Sequence, residues 1–348
     1  MNRLGFAAFA LAAFALAVAP LALPQDEALR DPAAQPAVIA PLAVKSLLLD
    51  LAFAGKRAVA VGERGHILHS DDAGRTWTQA AVPASANLTA VWFADEKNGW
   101  AVGHVETILR TQDGGDSWQL VHFEPENPQP LLDVSFADAS HGVAVGAYGV
   151  IYVTTDGGAV WSQVPFEPEP LPGAEKVAPS EDEMETEVDL GFEFHLNAIA
   201  RGPGHRLYLG AEAGRLFRSD DDGTHWRELP SPYDGSFHGI LALEGDALLA
   251  YGLRGNLFRS EDGGTTWTAI PTGTTALLDA GARIDERTVV VAGLAGVILV
   301  SHDGGRSFAL TQQDDRKAIS SVVASGDGAL IVAGEGGVRR LTLPGGQP

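Results

Sequence analysis

An eight-residue motif that recurs six times along the chain constrains its fold more than any other feature. Its pattern is Ser/Thr-x-Asp-x-Gly-x-x-Trp/Phe, and the aromatic positions are 41, 43, 65, 41 and 41 residues apart. A regular period of about 40 residues is typical of propeller blades and other stacked repeats. The recurring aspartate and aromatic residues of the six motifs are Asp72 and Trp77, Asp113 and Trp118, Asp156 and Trp161, Asp221 and Trp226, Asp262 and Trp267, and Asp303 and Phe308.

The sequence around each motif also repeats. Two apolar runs separated by a Gly turn come before the motif, as in VAVGAYGVIYVTT, and a third run lies further upstream, as in LLDVSF. Apolar runs broken by Gly turns predict β-strands. Each unit therefore has four strands, a to d, with the motif on the turn between strands c and d. Four strands per unit of about 40 residues predict an all-β protein, a β-propeller with four-stranded antiparallel blades.

The repeat predicts seven blades. Six units carry the motif, and a seventh stops at Pro344 before its fourth strand. We expect residues 36–43 to supply that strand, so that the N-terminal strand closes the ring and no large sheet edge is left open. The propeller is then expected over residues 36–344, with residues 345–348 as a tail.

The N-terminus has the pattern of a secretory signal peptide. Arg3 is followed by an apolar run over residues 4–18 and then by small residues. We expect residues 1–24 to be the signal peptide and residues 25–35 a linker, with an uncleaved membrane anchor as the alternative. The chain is therefore expected to be periplasmic or secreted, as a monomer. It has no cysteine, so we expect its core alone to stabilise it.

Charge narrows the class of partner. The formal net charge is -21, which argues against nucleic acids and acidic membrane surfaces. The one long interval between motifs arises from residues 166–190, an acidic insert between blades 3 and 4 with nine acids, one lysine and four prolines. Such a composition does not bury a core. We expect the insert to project from the face opposite the motifs, with Glu181, Asp182, Glu183, Glu185 and Glu187 as candidate partner-binding residues; a solubilising surface insertion is the alternative.

The repeated motif is interpreted as a structural turn. Its Asp side chain accepts hydrogen bonds from turn amides, and its Gly permits a positive φ. A catalytic site is needed once, whereas these residues recur in six blades. A calcium loop needs alternating oxygen ligands and a distant acid, and only residues 219–223 approach that pattern. We therefore expect no catalytic residue, no metal and no cofactor.

A second set of polar residues recurs early in strand a. Asp50, Asp133 and Asp279 share this position in the repeat, with Asn197 and Ser321 in the same place. Strand a is the innermost strand of a propeller blade, so these side chains are expected near the mouth of the central channel. Two interpretations stay open: hydrogen bonding to the backbone of a neighbouring blade, and a polar rim that binds a partner or ligand.

The full unit resembles the photosystem II stability/assembly factor family, and its motifs resemble the Asp-box (BNR) repeats of sialidases and other propellers. The likeness rests on L-x-D-[VL]-x-F, G-[WV]-A-V-G-x-x-G-x-I and T-x-D-G-G-x-x-W, and it extends from Leu47 to about Leu343. It implies a non-catalytic seven-bladed propeller that serves as a protein-interaction or assembly platform for a membrane or envelope complex. The alternative is an exported sialidase-like or other carbohydrate-active enzyme. A sialidase would need an arginine cluster, and the nearest string, Arg283-Ile284-Asp285, stands late in the chain.

Overall fold

The chain folds as a seven-bladed β-propeller, as the repeat predicts. This is a computed structural model that describes residues 32–126, 128–172 and 194–343. In every blade the strands are hydrogen-bonded in chain order from the innermost strand a outwards. The predicted signal peptide, most of the linker, the tail and residues 173–190 of the insert lie outside the described residues.

The first three blades contain twelve strands. Blade 1 contains β1 (Leu48–Ala54), β2 (Arg57–Gly62), β3 (Ile67–Ser70) and β4 (Thr78–Gln79). Blade 2 contains β5 (Leu88–Phe93), β6 (Gly99–Gly103), β7 (Ile108–Thr111) and β8 (Gln119–His122). Blade 3 contains β9 (Leu131–Phe136), β10 (Gly142–Gly146), β11 (Ile151–Thr154) and β12 (Ser162–Val164).

The remaining four blades follow the same order. Blade 4 contains β13 (Leu196–Arg201), β14 (Leu207–Ala211), β15 (Leu216–Ser219) and β16 (Arg227–Leu229). Blade 5 contains β17 (Phe237–Ala242), β18 (Leu248–Gly252), β19 (Leu257–Ser260) and β20 (Thr268–Ala269). Blade 6 contains β21 (Leu278–Arg283), β22 (Val289–Gly293), β23 (Val297–Ser301) and β24 (Ala309–Gln312). Blade 7 contains β25 (Ile319–Ala324), β26 (Ala329–Gly334) and β27 (Arg339–Thr342).

The helical elements are single 3-10 turns. They are Pro32–Ala34, Ala43–Lys45, Glu63–Gly65, Ala147–Gly149, Leu253–Gly255 and Leu294–Gly296. Over the described ranges, none of these helices has the length and apolarity needed to cross a membrane.

The hydrophobic core is divided among the seven gaps between adjacent blades. Each gap holds one cluster of buried side chains. Strand b is buried on both faces because its sheet packs against a neighbour on each side; all five residues of β10 are buried. This explains why strand b reads as a continuous apolar run rather than as an alternating one.

The ring closes differently from the prediction. Residues 36–43 do not form the fourth strand of blade 7, whose sheet has three strands within the described part of the chain. They lie against the outer edge of blade 1 instead, where the Ala37 amide donates to the Val82 carbonyl and the Gln79 side chain bonds to Val38 and Ala40. Two of these eight residues are prolines, which cannot donate a ladder hydrogen bond, so the segment is poorly suited to the predicted pairing.

Packing and side-chain hydrogen bonds join the last blade to the first. Leu48 and Leu51 of β1 share a buried cluster with Ile331 and Ala333 of β26. The turn after residue 42 adds to this seam, since the Val338 amide of blade 7 donates to the Val44 carbonyl. The N-terminal segment thus contributes to ring closure through contacts at the junction of blades 7 and 1, and it does not complete the sheet of blade 7.

Candidate functional site

Every innermost strand contains a β-bulge near its start, and these bulges shape the central channel. In all seven blades the pairing between strands a and b shifts by one residue at this point. In blade 1 the register passes from Leu48 opposite Gly62 to Asp50 opposite Val61. A bulge re-aims the side chains around it. Residues at the two bulge positions line a central cavity of about 790 Å³.

The bulges also correct one detail of the sequence interpretation. Asp50, Asp133 and Ser321 occupy the second bulge position, whereas Asn197 and Asp279 occupy the first. The predicted shared position is therefore wrong by one residue for Asn197 and Asp279, because spacing along the chain does not reveal where the extra residue is inserted. All five residues nevertheless line the same cavity, as the propeller geometry predicts.

Asp50 and Asp133 hold neighbouring blades together through backbone amides. Asp50 Oδ2 accepts from the Val91 amide of blade 2 at 2.8 Å, and Asp133 Oδ2 accepts from the Ile199 amide of blade 4 at the same distance. The hydrogen-bonding interpretation therefore describes these two residues. Burial raises the pKa of Asp50 to about 6 and that of Asp133 to about 7, although the amide hydrogen bonds favour the charged forms.

The other polar bulge residues make different contacts. Asn197 Nδ2 donates to the Phe237 carbonyl at 2.8 Å, so it also bridges to the next blade. Asp279 Oδ1 lies 3.5 Å from His238 Nδ1. Asp279 thus faces the cavity with a histidine neighbour, whereas no arginine or lysine is paired with Asp50, Asp133 or Asp279 among the residues described.

Tyr251 is a channel residue that the sequence interpretation missed. It lies on β18, is 3% exposed, and its ring occupies space left by two glycines of the inner strands, Gly239 and Gly281. A Cβ at Gly239 would lie 2.5 Å from the Tyr251 hydroxyl oxygen, and a Cβ at Gly281 only 2.3 Å from it. The hydroxyl therefore reaches the cavity wall because both positions lack a side chain.

A signal for this tyrosine was present in the sequence. The residues that pair with the second bulge position in blades 1 to 3 are Val61, Val102 and Val145. An aromatic residue in a valine position, opposite a glycine, indicates a local departure from the repeat. Burial and the channel carboxylates raise the pKa of Tyr251, so that its hydroxyl stays protonated at neutral pH.

The cavity is acidic at one end, whereas its other end is lined mainly by apolar side chains, together with Arg201 at the end of β13. All strands a run in the same direction around the channel, so the bulges lie together at the end nearest the loops that join strand d to strand a. Trp92, Leu241 and Ala242 line the cavity further along these strands. Arg201 is the only arginine or lysine lining it within the described ranges, and Asp222 accepts from it at 2.6 Å. Arg283 lies elsewhere, beside a smaller pocket between blades 5 and 6.

The repeated motifs build one hydrogen-bonded turn six times. In the first, Asp72 Oδ1 accepts from the Ser70 hydroxyl at 2.8 Å and from the Thr76 amide at 2.8 Å. The hydroxyl and the amide of Thr76 hold the pKa of Asp72 well below its usual range. The same carboxylate-to-amide bond is made by the other five aspartates, Asp113, Asp156, Asp221, Asp262 and Asp303, at 2.8–3.0 Å.

The motif aromatics pack between blades. Trp118 belongs to the cluster between blades 1 and 2, and Trp226 to that between blades 3 and 4. The same arrangement holds for Trp77, Trp161, Trp267 and Phe308 in their own gaps. In each of the six blades that carry the motif, the aromatic side chain therefore packs in a hydrophobic cluster between two blades. Over the described ranges, no group of three His, Cys, Asp or Glu side chains is placed to hold a metal ion.

The candidate partner-binding acids of the insert, Glu181, Asp182, Glu183, Glu185 and Glu187, lie outside the described residues. The start of the insert is described. Phe166 is 4% exposed and packs edge-on against Phe217, with ring centroids 5.0 Å apart. Glu169 then pairs with the outer strand of blade 4, because its amide donates to the Trp226 carbonyl at 2.8 Å. The insert therefore begins from an anchored segment.

Comparison with known proteins agrees with the repeat and the fold. The sequence model of the family described as "Photosynthesis system II assembly factor YCF48" matches residues 34–130, 74–195 and 128–283. A curated relative, the chloroplastic photosystem II stability/assembly factor HCF136 of Oryza sativa subsp. japonica, is 27% identical over 106 residues, which is 28% of this chain and 25% of the relative. The chain thus spans about a quarter of the length of the curated relatives it matches.

Two solved structures have the same fold. One is YCF48 from Cyanidioschyzon merolae, with a TM-score of 0.66, 20% identity, and coverage of 88% of this chain and 98% of that one. The other is titled "YCF48 bound to D1 peptide", with a TM-score of 0.65, 19% identity, and coverage of 86% and 94%. At these identities the likeness establishes the propeller architecture.

Proposed function

Because the chain belongs to the YCF48 family of photosynthesis system II assembly factors, we propose that it is a non-catalytic platform that binds a protein segment during the assembly of a membrane or envelope complex. A related propeller has been solved with a peptide, which supports a protein partner. Export by the N-terminal signal, a periplasmic or secreted location and a monomeric state are parts of the same proposal.

One observation suggests where the partner binds. The acidic end of the channel opens on the face that carries the loops between strands d and a. Two of these loops begin with Phe-Glu-Pro-Glu, at Phe123 and Phe166, and the second continues into the insert, which carries a net charge of -8 over residues 166–190. Acidic loops around an acidic channel mouth favour a basic partner surface and speed its association.

The arrangement of the channel acids supports a binding role over hydrolysis. Asp50 and Asp133 each accept two hydrogen bonds within the wall of the propeller, which orders them as structural groups. Arg201, the one arginine that lines the channel in the described part of the chain, is paired with Asp222. We therefore favour the platform over a carbohydrate-active enzyme, and we expect no turnover in a screen of aryl glycosides and sialosides.

The experiment that tests the proposal compares two tagged proteins in envelope extracts of the host. One is the wild type, and the other has residues 173–190 replaced by a neutral Gly/Ser segment of equal length. The anchor at Phe166 and Glu169 is retained, so the fold should be preserved, as circular dichroism and thermal unfolding would check. We expect the wild type to capture a defined set of membrane proteins and the variant to lose it. Equal capture by both proteins would contradict docking through the insert, and hydrolysis of a glycoside would contradict the non-catalytic assignment.

A further inference from the structure

The central channel contains a group whose hydrogen-bonding capacity is unused. The Tyr251 hydroxyl has no hydrogen-bond partner among the described residues, although its side chain is 3% exposed and lines the cavity. Because this hydroxyl opens into the cavity and bonds to no neighbouring side chain there, it is available to hydrogen-bond a ligand. The two glycines that admit this ring, Gly239 and Gly281, make the arrangement specific to blades 5 and 6.

Carboxylates outnumber cationic groups in the described lining of this cavity: Arg201 is paired with Asp222, and His238 lies beside Asp279. Burial is the main cause of the raised pKa of Tyr251, and the charges of Asp279, Asp133 and Asp50 raise it further. The cavity lining also includes Glu212. Each carboxylate has about four lone-pair sites. Asp50 and Asp133 each accept two hydrogen bonds from the blade wall, so the described contacts leave lone-pair sites of both carboxylates unused.

The lining beyond the acidic end and the volume of the cavity indicate which chemical class of ligand fits. Beyond its acidic end the cavity is lined by the side chains of Trp92, Leu241 and Ala242, with Arg201 at the same end held by Asp222. Trp92 is aromatic and can attract a cation or cover a hydrocarbon chain. The volume of about 790 Å³ is that of a small-molecule site rather than of a single ion.

From these observations we propose that the central channel binds a protonated primary amine carried on an alkyl chain, with the ammonium group between the Tyr251 hydroxyl and the carboxylates of Asp50, Asp133 and Asp279. The alkyl chain lies along the end of the cavity that Trp92, Leu241 and Ala242 line. Such an amine is available from two sources, a free alkylamine or the lysine side chain of a bound protein. The site does not depend on the proposed function, because it is built entirely from the channel wall.

Calorimetric titration of the full chain tests this site. The probes are cadaverine as the free amine, Nα-acetyl-lysinamide as the side chain, and Nα-acetyl-norleucinamide as the uncharged analogue of similar length. We expect at least one amine to bind with one-to-one stoichiometry and the uncharged analogue not to bind. Binding of cadaverine alone identifies a free amine as the ligand, and binding of the lysine probe identifies a protein side chain. Failure of both amines to bind at millimolar concentration would overturn the proposal.

Two variants place the bound amine in the channel. Tyr251→Phe keeps the ring and removes only the hydroxyl, and Asp133→Asn removes one charge; each is expected to weaken amine binding roughly tenfold, as the loss of one hydrogen bond to a charged group implies. Asp314→Asn is the matched control, because Asp314 is exposed on the loop before blade 7. If Tyr251→Phe, which preserves the packing, binds amines as the wild type does, the assigned site is wrong even if Asp133→Asn fails to fold.

Discussion

Ser321 Oγ donates a 2.9 Å hydrogen bond to Asp50 Oδ1, joining the last blade to the first across 271 positions of sequence. The same hydroxyl oxygen accepts from the Leu51 amide at 3.1 Å. Since residues 36–43 do not complete the seventh sheet, this pair is part of what holds the ring closed. The repeat predicts that a fourth, outer strand closes the ring at blade 7. The hydrogen bond between Ser321 and Asp50 instead joins the innermost strands of blades 7 and 1.

Ser321→Ala tests the seam. The substitution leaves the Leu51 amide without its acceptor and removes a donor from Asp50, so we expect a loss of about 1–3 kcal/mol in the free energy of unfolding. Urea denaturation monitored by tryptophan fluorescence gives this value. Ser320→Ala is the control, since Ser320 also lines the cavity but makes no hydrogen bond through its side chain within the described residues. Equal effects of the two substitutions would contradict a specific seam bond.

The raised pKa of Asp133 predicts a pH dependence of stability. Its folded pKa of about 7 exceeds the ordinary aspartate value of 3.8, so the folded state binds more protons between these values. The stability that this group contributes is therefore complete below about pH 4 and is lost as the pH rises through 7. Asp133→Asn lacks this titration. We expect the melting temperature of the wild type to fall relative to that of Asp133→Asn between pH 5 and pH 8.

The test compares the melting temperatures of the wild type and Asp133→Asn at each pH, because the pH profile of the wild type alone contains contributions from other groups. The pKa of His66 is lowered by burial, so protonation of this side chain destabilises the fold as the pH falls through 6.5. That effect opposes the effect of Asp133 in the same range and cancels only in the difference. Asp314→Asn, at an exposed site, is measured in parallel as the control for replacing an aspartate by asparagine. A constant difference for Asp133→Asn would show that its carboxyl titrates normally.

Gly281→Ala probes the space that Tyr251 occupies. A Cβ at residue 281 would lie 2.3 Å from the hydroxyl oxygen and 2.9 Å from the ring carbon that carries it. We expect a loss of about 1–3 kcal/mol from overpacking. In a Tyr251→Val background, which restores the residue that blades 1 to 3 have opposite the bulge, Gly281→Ala should cost less than about 0.5 kcal/mol. A cost that is the same in both backgrounds would mean that the two side chains do not compete for space.

Phe166→Ala tests the anchor of the acidic insert. Phe166 is 4% exposed against Phe217 and Trp226, so its truncation should lower the free energy of unfolding by about 3–5 kcal/mol. Phe123 begins the same Phe-Glu-Pro-Glu string on the neighbouring loop and is only half-buried, which makes Phe123→Ala the matched control. We expect that control to cost less than half as much. Chemical denaturation measures both losses in the free energy of unfolding. Equal losses for Phe166→Ala and Phe123→Ala would contradict the role of Phe166 as an anchor.

The repeat allowed most of the architecture to be predicted. The motif at intervals of about 41 residues fixes where Asp72, Asp262 and the other turn aspartates lie, because each motif bonds within its own hairpin. The apolar runs predict the strands for a related reason, since burial on both faces requires apolar residues throughout. Asp50 and Asp133 could be placed at the channel because their positions follow from the strand order within a blade.

Contacts between distant residues were decided only by the tertiary structure. Local periodicity contains no information on whether residues 36–43 pair with β27 or with the edge of blade 1, since that choice depends on competing edges brought together by ring closure. The bulges shift Asn197 and Asp279 by one position for a similar reason. The channel site depends on Tyr251 of blade 5 meeting a gap opened by Gly281 of blade 6. By itself the sequence determined what each blade is, because the interactions that build a blade recur within about 40 residues; the fold decided how the blades close and what their inner edges enclose, because those interactions join residues that only the complete ring brings together.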